Sequence, residues 1–429
     1  MGQDYASRLD SARWSGVHWP IFLSSSLGFF VWGFVYALSS LVASWSTIPA
    51  GGAELVLMLS YLALPVGNLA LGWLADRVGR KNTFVVTLSL YAVGLAGVVL
   101  SPGFVPLLVS LALAQAGAGG EEPASLSSLA EYSPVRHRGK ALILSSNFVN
   151  LGALAAAVLG AYGSGSIAEQ KLMFGVGAAV LLLTVAVARK KMRESVRWLA
   201  QRGRTVEADS IARSLDGQKD AAEAVSGPPK RYSRPFSFII LALLGASQLM
   251  TYGLLSFVVG PYYYPSLTPQ IIIVANGGAF VAGLAAALLV DRVRRKSFTV
   301  LSYVGGLATV ALLLPTAGYV GGIMPLFFVF LFANMVFSEY AWASRVTLEP
   351  ELAGKTGGRA TFVGTVRLAA WIPFVVSISA TAAFTLPQFL TLNIVLWGVG
   401  AVAAAAWYLG GVETSRRSLE EIEAGSDKK

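Results

Sequence analysis

Apolar runs long enough to cross a bilayer recur along this whole chain. Residues 21–45, 85–100, 172–188, 298–314 and 390–409 contain no charged side chain. At 1.5 Å of rise per residue, a helix of about 20 residues covers a hydrocarbon core of roughly 30 Å. A soluble chain of this length would bury one or two cores beneath alternating polar faces, with about 25% charged residues; this one carries 13%. It reads as an all-α membrane protein with twelve transmembrane helices in two pseudo-symmetric six-helix bundles. The spans fall near 19–46, 54–76, 82–101, 104–132, 139–162 and 170–189, then near 236–260, 269–291, 297–317, 320–348, 358–385 and 387–409.

The net charge of +10 is distributed as a membrane protein distributes it, not as a basic patch for nucleic acid. Of 33 Lys and Arg, all but Lys171 and Arg367 read as lying in the termini or in alternate loops. That positive-inside bias places both termini in the cytoplasm and makes this a multi-pass cell-membrane protein. The termini are 1–18 and 410–429. The segment 190–235, with twelve basic residues counted from Arg189 and a Gly227-Pro228-Pro229 break, reads as a cytoplasmic linker with short amphipathic helices, between bundles at 19–189 and 236–409. There is no cysteine, so no disulfide or thiol nucleophile is available, and the two histidines, His18 and His137, make a metal site improbable. No cofactor is expected. The start shows neither a cleavable signal peptide nor a myristoylation pattern.

The halves repeat. GWLADRVGRK at 72–81 and ALLVDRVRRK at 287–296 share Asp-Arg-Val-x-Arg-Lys at an offset of 215, and Pro134 and Pro350 stand 216 apart. Internal duplication of this kind builds many secondary transporters. The first loop has a physical logic. Gly72 lets two helices approach closely, and Gly79 permits a tight turn. Asp76 can accept from the orphan N–H groups of a facing helix terminus, while Arg77, Arg80 and Lys81 can pair with carboxylates on neighbouring helix ends. Ordinary positive-inside charge explains the basic residues but not the Gly, Asp, Gly spacing.

Gly72-x-x-x-Asp76-Arg77-x-Gly79-Arg80-Lys81 resembles the signature loop of the major facilitator superfamily. AEYSPVRHRGK (130–140), RESVRWLAQRGR (193–204) and SRRSLEEIE (415–423) resemble its sugar-porter and organic-ion-porter branch. The resemblance implies a central substrate site, alternating access, and a cytoplasmic charge network in which Glu131, Arg138, Glu194 and Arg197 join Arg77 and Arg80, with Asp291 and Arg292 as second-half counterparts. The sugar-porter pattern is incomplete. The seventh helix has one glutamine, Gln248, and has Gly253 near the expected asparagine; Arg294 replaces a glycine, and Thr347 stands where a glutamate is expected. Tyr252 with its following residues, and GAGGEEP at 117–123, look more like organic-acid, organic-ion and phosphate porters. The first helix has no acid where many proton-coupled relatives carry one.

Ionisable groups at membrane depth are costly unless paired or wetted, which makes them functional pointers. Glu121, Glu122, Glu339 and Arg367 qualify, although holding helices together is an equally good role for each glutamate. Glu121 aligns with Ser125 and Ser128 on one helix face, and Glu122 lies about 100° away, so only one of the two glutamates can face a central cavity squarely. Helix rise puts Glu339 and Arg367 at equal depth, roughly 13–16 Å from the cytoplasmic surface, which predicts an ion pair between them, direct or through substrate. Tyr252, Trp342, Trp371, Asn147, Asn150 and Asn276 are further candidates for substrate contact, with helix packing as the alternative. The function read from all this is a secondary transporter, a monomer that is not an enzyme, for a small polar molecule. A small organic anion leads because Arg367 offers a fixed positive charge, a sugar is the alternative, and a non-transporting nutrient sensor is the remote one. Coupling to protons through Glu121, Glu122 or Glu339 stands beside uniport.

Overall fold

The computed structural model describes residue 5 and residues 8–162, 166–214, 232–318, 324–354 and 358–425. Twelve helices there are long and apolar enough to cross a membrane, and no strand occurs among the described residues. They are α1 (Trp19–Ala43), α2 (Gly52–Val78), α3 (Arg80–Leu100), α4 (Phe104–Tyr132), α5 (Val135–Tyr162), α6 (Ile167–Lys190), α7 (Arg234–Tyr263), α8 (Pro265–Leu289), α9 (Arg295–Thr316), α10 (Met324–Leu352), α11 (Arg359–Thr381) and α12 (Leu386–Gly410). Two short helices, Val196–Gln201 and Thr205–Arg213, follow α6. Residues 215–231, which hold the Gly-Pro-Pro break, lie outside the described residues.

These helices form because hydrocarbon supplies no hydrogen-bond partner, so each crossing backbone must satisfy itself. Val85, Leu100, Leu172, Leu183, Val402 and Leu409 are all more than half exposed and form part of the lipid-facing belt. α1 and α7 are the most enclosed spans and α6 the least. Both central spans of interest are irregular where they pass the middle of the protein. α5 is two helical stretches, Val135–Ser146 and Phe148–Tyr162, meeting at Asn147, and α7 widens into a π-helical turn at Leu254–Val258. Such turns often mark functional positions, because the extra residue per turn re-aims side chains.

Candidate functional site

The loops between α2 and α3 and between α8 and α9 gather at one end of the bundle, the basic end. There Asp76 does what its position predicts. Its Oδ2 accepts the Thr361 N–H at 2.8 Å and the Thr361 hydroxyl at 2.7 Å, and its Oδ1 accepts the Ala360 N–H at 3.4 Å. A carboxylate therefore sits on the positive terminus of α11, which begins at Arg359. A side chain at Gly72 would have its Cβ only 2.8 Å from the Ala360 carbonyl, so the glycine is what lets α2 and α11 touch. Gly79 has φ of +100°, a conformation that L side chains rarely adopt.

Arg80 binds Asp76 (3.1 Å) and Glu131 (2.8 Å), and Glu131 in turn meets Arg359 at 3.3 Å, which ties the first half to the second. Glu194 accepts the Arg80 and Lys81 N–H groups, both at 3.1 Å, and so caps α3. The second half repeats the arrangement with the same chemistry. Glu413 accepts the Arg295 N–H (3.0 Å), as Glu194 does for Arg80. Arg295 lies 3.5 Å from Asp291 and 3.8 Å from Glu351. Just as Arg80 donates to the carbonyl five residues before it, Arg295 donates to that of Val290. Burial raises Asp291 above the ordinary carboxylate range against the pull of Arg295. For Glu420 burial works the same way, but the Arg197 guanidinium outweighs it and holds the carboxyl below that range.

Two expected members of this network are elsewhere. Arg77 is exposed and stacks 3.9 Å over the Trp73 ring. Arg292 is also exposed, and Arg295 takes the interior place. For Arg77 the reason is helical phase: it follows the buried Asp76 in α2 and so turns about 100° toward solvent, whereas Arg292 lies in the turn between α8 and α9. Thr347 is likewise no loss, because Glu351, one turn further, supplies the carboxylate.

Asp10 was not anticipated. It is shared by Arg138 (2.7 Å) and Arg197 (2.9 Å), while Arg197 also binds Glu420 at 2.9 Å. The segment before α1 thus straps the basic end shut, with Leu9 fully buried. Because the chain has no cysteine, a single Ser127→Cys reporter, one turn inward from Glu131, can follow opening by maleimide labelling. Asp10→Asn is expected to raise the labelling rate several-fold, and an unchanged rate would show the strap to be passive.

A pocket lies in the middle of the molecule, lined by Trp32, Tyr36, Val149, Asn150, Gln248, Leu249, Tyr252, Glu339, Trp342 and Trp371. On the side away from the basic end, Tyr36 packs against Phe257 (4.4 Å between centroids), Tyr61 (4.6 Å) and Trp371 (5.6 Å), and the Ser40 hydroxyl donates to the Phe257 carbonyl at 2.6 Å. These contacts join the two halves on that side of the cavity. Asn150, Tyr252 and Glu339 line it and are joined by hydrogen bonds to Asn147 and Asn276 behind them. Asn150 donates to Glu339 (2.9 Å) and to Asn147 (2.9 Å), Asn147 donates to the Phe280 carbonyl (2.9 Å), and the Tyr252 hydroxyl donates to Asn276 (2.7 Å). Gly253 cannot be the missing asparagine of a sugar porter, since a Cβ there would meet the Phe374 ring at 2.4 Å.

Beneath the cavity is a fully buried layer of two arginines and two glutamates. Arg367 sits 3.1 Å from Glu122 and 2.7 Å from Glu349, and Arg345 is 3.1 Å from Glu349. Gln248 connects layer and cavity by accepting from Arg345 at 2.6 Å, and the Arg367 guanidinium lies 4.2 Å from the centroid of the Trp342 ring. The direct ion pair expected between Arg367 and Glu339 does not form. Glu339 lines the cavity and turns to Asn150 on α5, while Arg367 lies in the layer beneath it and turns to Glu122 on α4 and Glu349, ten residues further along α10. Glu121 is also removed from the cavity. Both its oxygens lie 2.6 Å from Arg189, and Thr87 and Ser125 complete its shell. Arg345, Glu349 and Arg189 escaped the sequence reading because each stands near the end of an apolar run, where a charge passes for loop. The i, i+4 spacing of Arg345 and Glu349 was the available signal. Trp32 and Tyr36 left no signal beyond being aromatic.

Known transporters resemble this chain in sequence and in fold. The chain is 26% identical to the "Niacin transporter NiaP" of Acinetobacter baylyi, over 98% of this chain and 99% of that one. It is 28% identical to "Plastidic glucose transporter 4" of Arabidopsis thaliana, over 83% and 70%. Among solved structures, the proton:xylose symporter XylE bound to 6-bromo-6-deoxy-D-glucose superposes with a TM-score of 0.77 at 18% identity, covering 95% of this chain and 98% of that one. The family model of the Major Facilitator Superfamily matches residues 19–372, and with twelve spans, the repeated loop and transporters on every side, this chain belongs to that superfamily.

Proposed function

We propose that the protein is a secondary transporter for a small, flat organic anion of the aromatic-carboxylate kind, working by alternating access, with its basic end in the cytoplasm. The observation that carries this reading is the pairing of aromatic walls with a cationic floor. Trp32, Tyr36, Tyr252, Trp342 and Trp371 offer faces on which a planar ring can stack. Gln248 and Trp342 stand between that space and the guanidinium groups of Arg345 and Arg367, which suit a carboxylate by geometry and charge. Niacin, named for one relative, is an aromatic carboxylate.

A sugar is the second reading, favoured by the amides Asn150 and Gln248 on the cavity wall and by the likeness to sugar transporters. It is weaker because a monosaccharide buries many hydroxyls, each of which needs a partner, and this wall is mostly aromatic. Purified protein in vesicles should take up labelled nicotinate saturably, with benzoate competing and xylose or glucose not. Saturable xylose or glucose uptake without nicotinate uptake would reverse the order of the two readings. Vesicles that move none of them would favour a sensor.

A further inference from the structure

We propose, building on the organic-anion reading, that Glu122 is the proton carrier: the substrate carboxylate replaces Glu122 on Arg367, and Glu122 leaves that pair as the protonated acid. One proton bonds to a Glu122 carboxylate oxygen as the anion arrives, Arg367 keeps its own protons throughout, and release reverses both changes. One anion and one proton cross together, and no net charge moves.

Charge balance is the first support. The layer holds Arg345 and Arg367 against Glu122 and Glu349, all buried. An anion added to such a balanced, water-poor layer leaves one negative charge uncompensated, and a buried unpaired charge is strongly disfavoured. A proton on one carboxylate restores the balance.

Geometry selects which carboxylate. Glu349 is held twice within its own half, by Arg367 at 2.7 Å and by Arg345 at 3.1 Å. Glu122 is held once, at 3.1 Å, by an arginine from the other half. Neither Glu122 oxygen accepts a hydrogen bond, and no Arg367 N–H points straight at an acceptor, so these are contacts of charge without directed bonds. This is the loosest pair in the layer, and rocking of the halves separates its members. The charged or titratable groups facing Glu122 from the packed elements are Arg367 on α11, Arg345 and Glu349 on α10, and Tyr91 on α3. Its chain neighbour Glu121 is already committed to Arg189 on α6.

The test uses labelled nicotinate and the whole protein in vesicles. A one-unit pH gradient should drive about tenfold accumulation before protein-free vesicles accumulate any, and an imposed membrane voltage should change neither rate nor extent. Glu122→Gln should lose the accumulation, while one-for-one nicotinate exchange continues and no longer varies with pH. Wild-type protein that exchanges nicotinate but whose net uptake is not driven by a pH gradient, or is driven by voltage, overturns the proposal and leaves the anion reading standing. So does gradient-driven accumulation surviving in Glu122→Gln. Failure of the wild type to exchange nicotinate or benzoate, while xylose or glucose exchanges, overturns the anion reading and this proposal with it. The wild-type voltage arm needs no variant to fold.

Discussion

Arg367→Ala is expected to destabilise the protein by about 3–5 kcal/mol and to abolish transport, because removing one partner of a buried ion pair strands the other charges. Two carboxylates lose their cation at once, Glu122 on α4 and Glu349 on α10. Only one of them keeps a second partner, since Arg345 still holds Glu349. The orphan is therefore Glu122, and a second substitution, Glu122→Gln, should recover a large part of the lost stability without restoring anion transport. Glu339→Gln should not recover it, since Glu339 meets Asn150 and has no contact with Arg367. Thermal melting of the single and double variants in detergent, with uptake in vesicles, checks each part. Rescue by Glu339→Gln in place of Glu122→Gln would mean that the layer is wired differently.

Asp76→Asn should cut transport by about tenfold or more while substrate binding stays within about tenfold of wild type. The carboxylate accepts two N–H groups and a hydroxyl at the start of α11 and also pairs with Arg80. Charge at a partly buried helix terminus contributes up to about 2 kcal/mol. Losing that much of the closed state's stability shifts its population about thirtyfold. Substrate lies a layer away, so its affinity is affected only through that population. Ligand-induced thermal stabilisation reads binding and vesicle uptake reads cycling. Wild-type cycling in Asp76→Asn would remove the latch role from this loop.

Much of the architecture was legible because it is written locally. A run of about 20 apolar residues can cross a bilayer only as a helix, so all twelve spans could be placed with ends shifting by a few residues. The repeat predicted that the second half would copy the first, and Glu413 and Arg295 do copy Glu194 and Arg80. The role of Asp76 was readable because an acid one turn from a glycine-marked helix end has few things to do except accept from another helix terminus. Arg77 and Arg292 were misjudged for the opposite reason: composition marks a loop as basic but does not say which of its arginines turns inward.

The sequence by itself therefore determined the span count, the internal repeat and the presence of charge at membrane depth, all properties of short stretches of chain. Only the tertiary structure decided which charges meet. Glu121 and Glu122 are neighbours in sequence, yet one faces Arg189 on α6 and the other Arg367 on α11. Glu339 and Glu349 share α10, yet one opens on the cavity and the other closes the layer beneath it. A helix turns its side chains by about 100° per residue, so partners depend on how each helix is rotated and where it crosses its neighbours. Those quantities are set by the packing of all twelve spans together, and no single span encodes them.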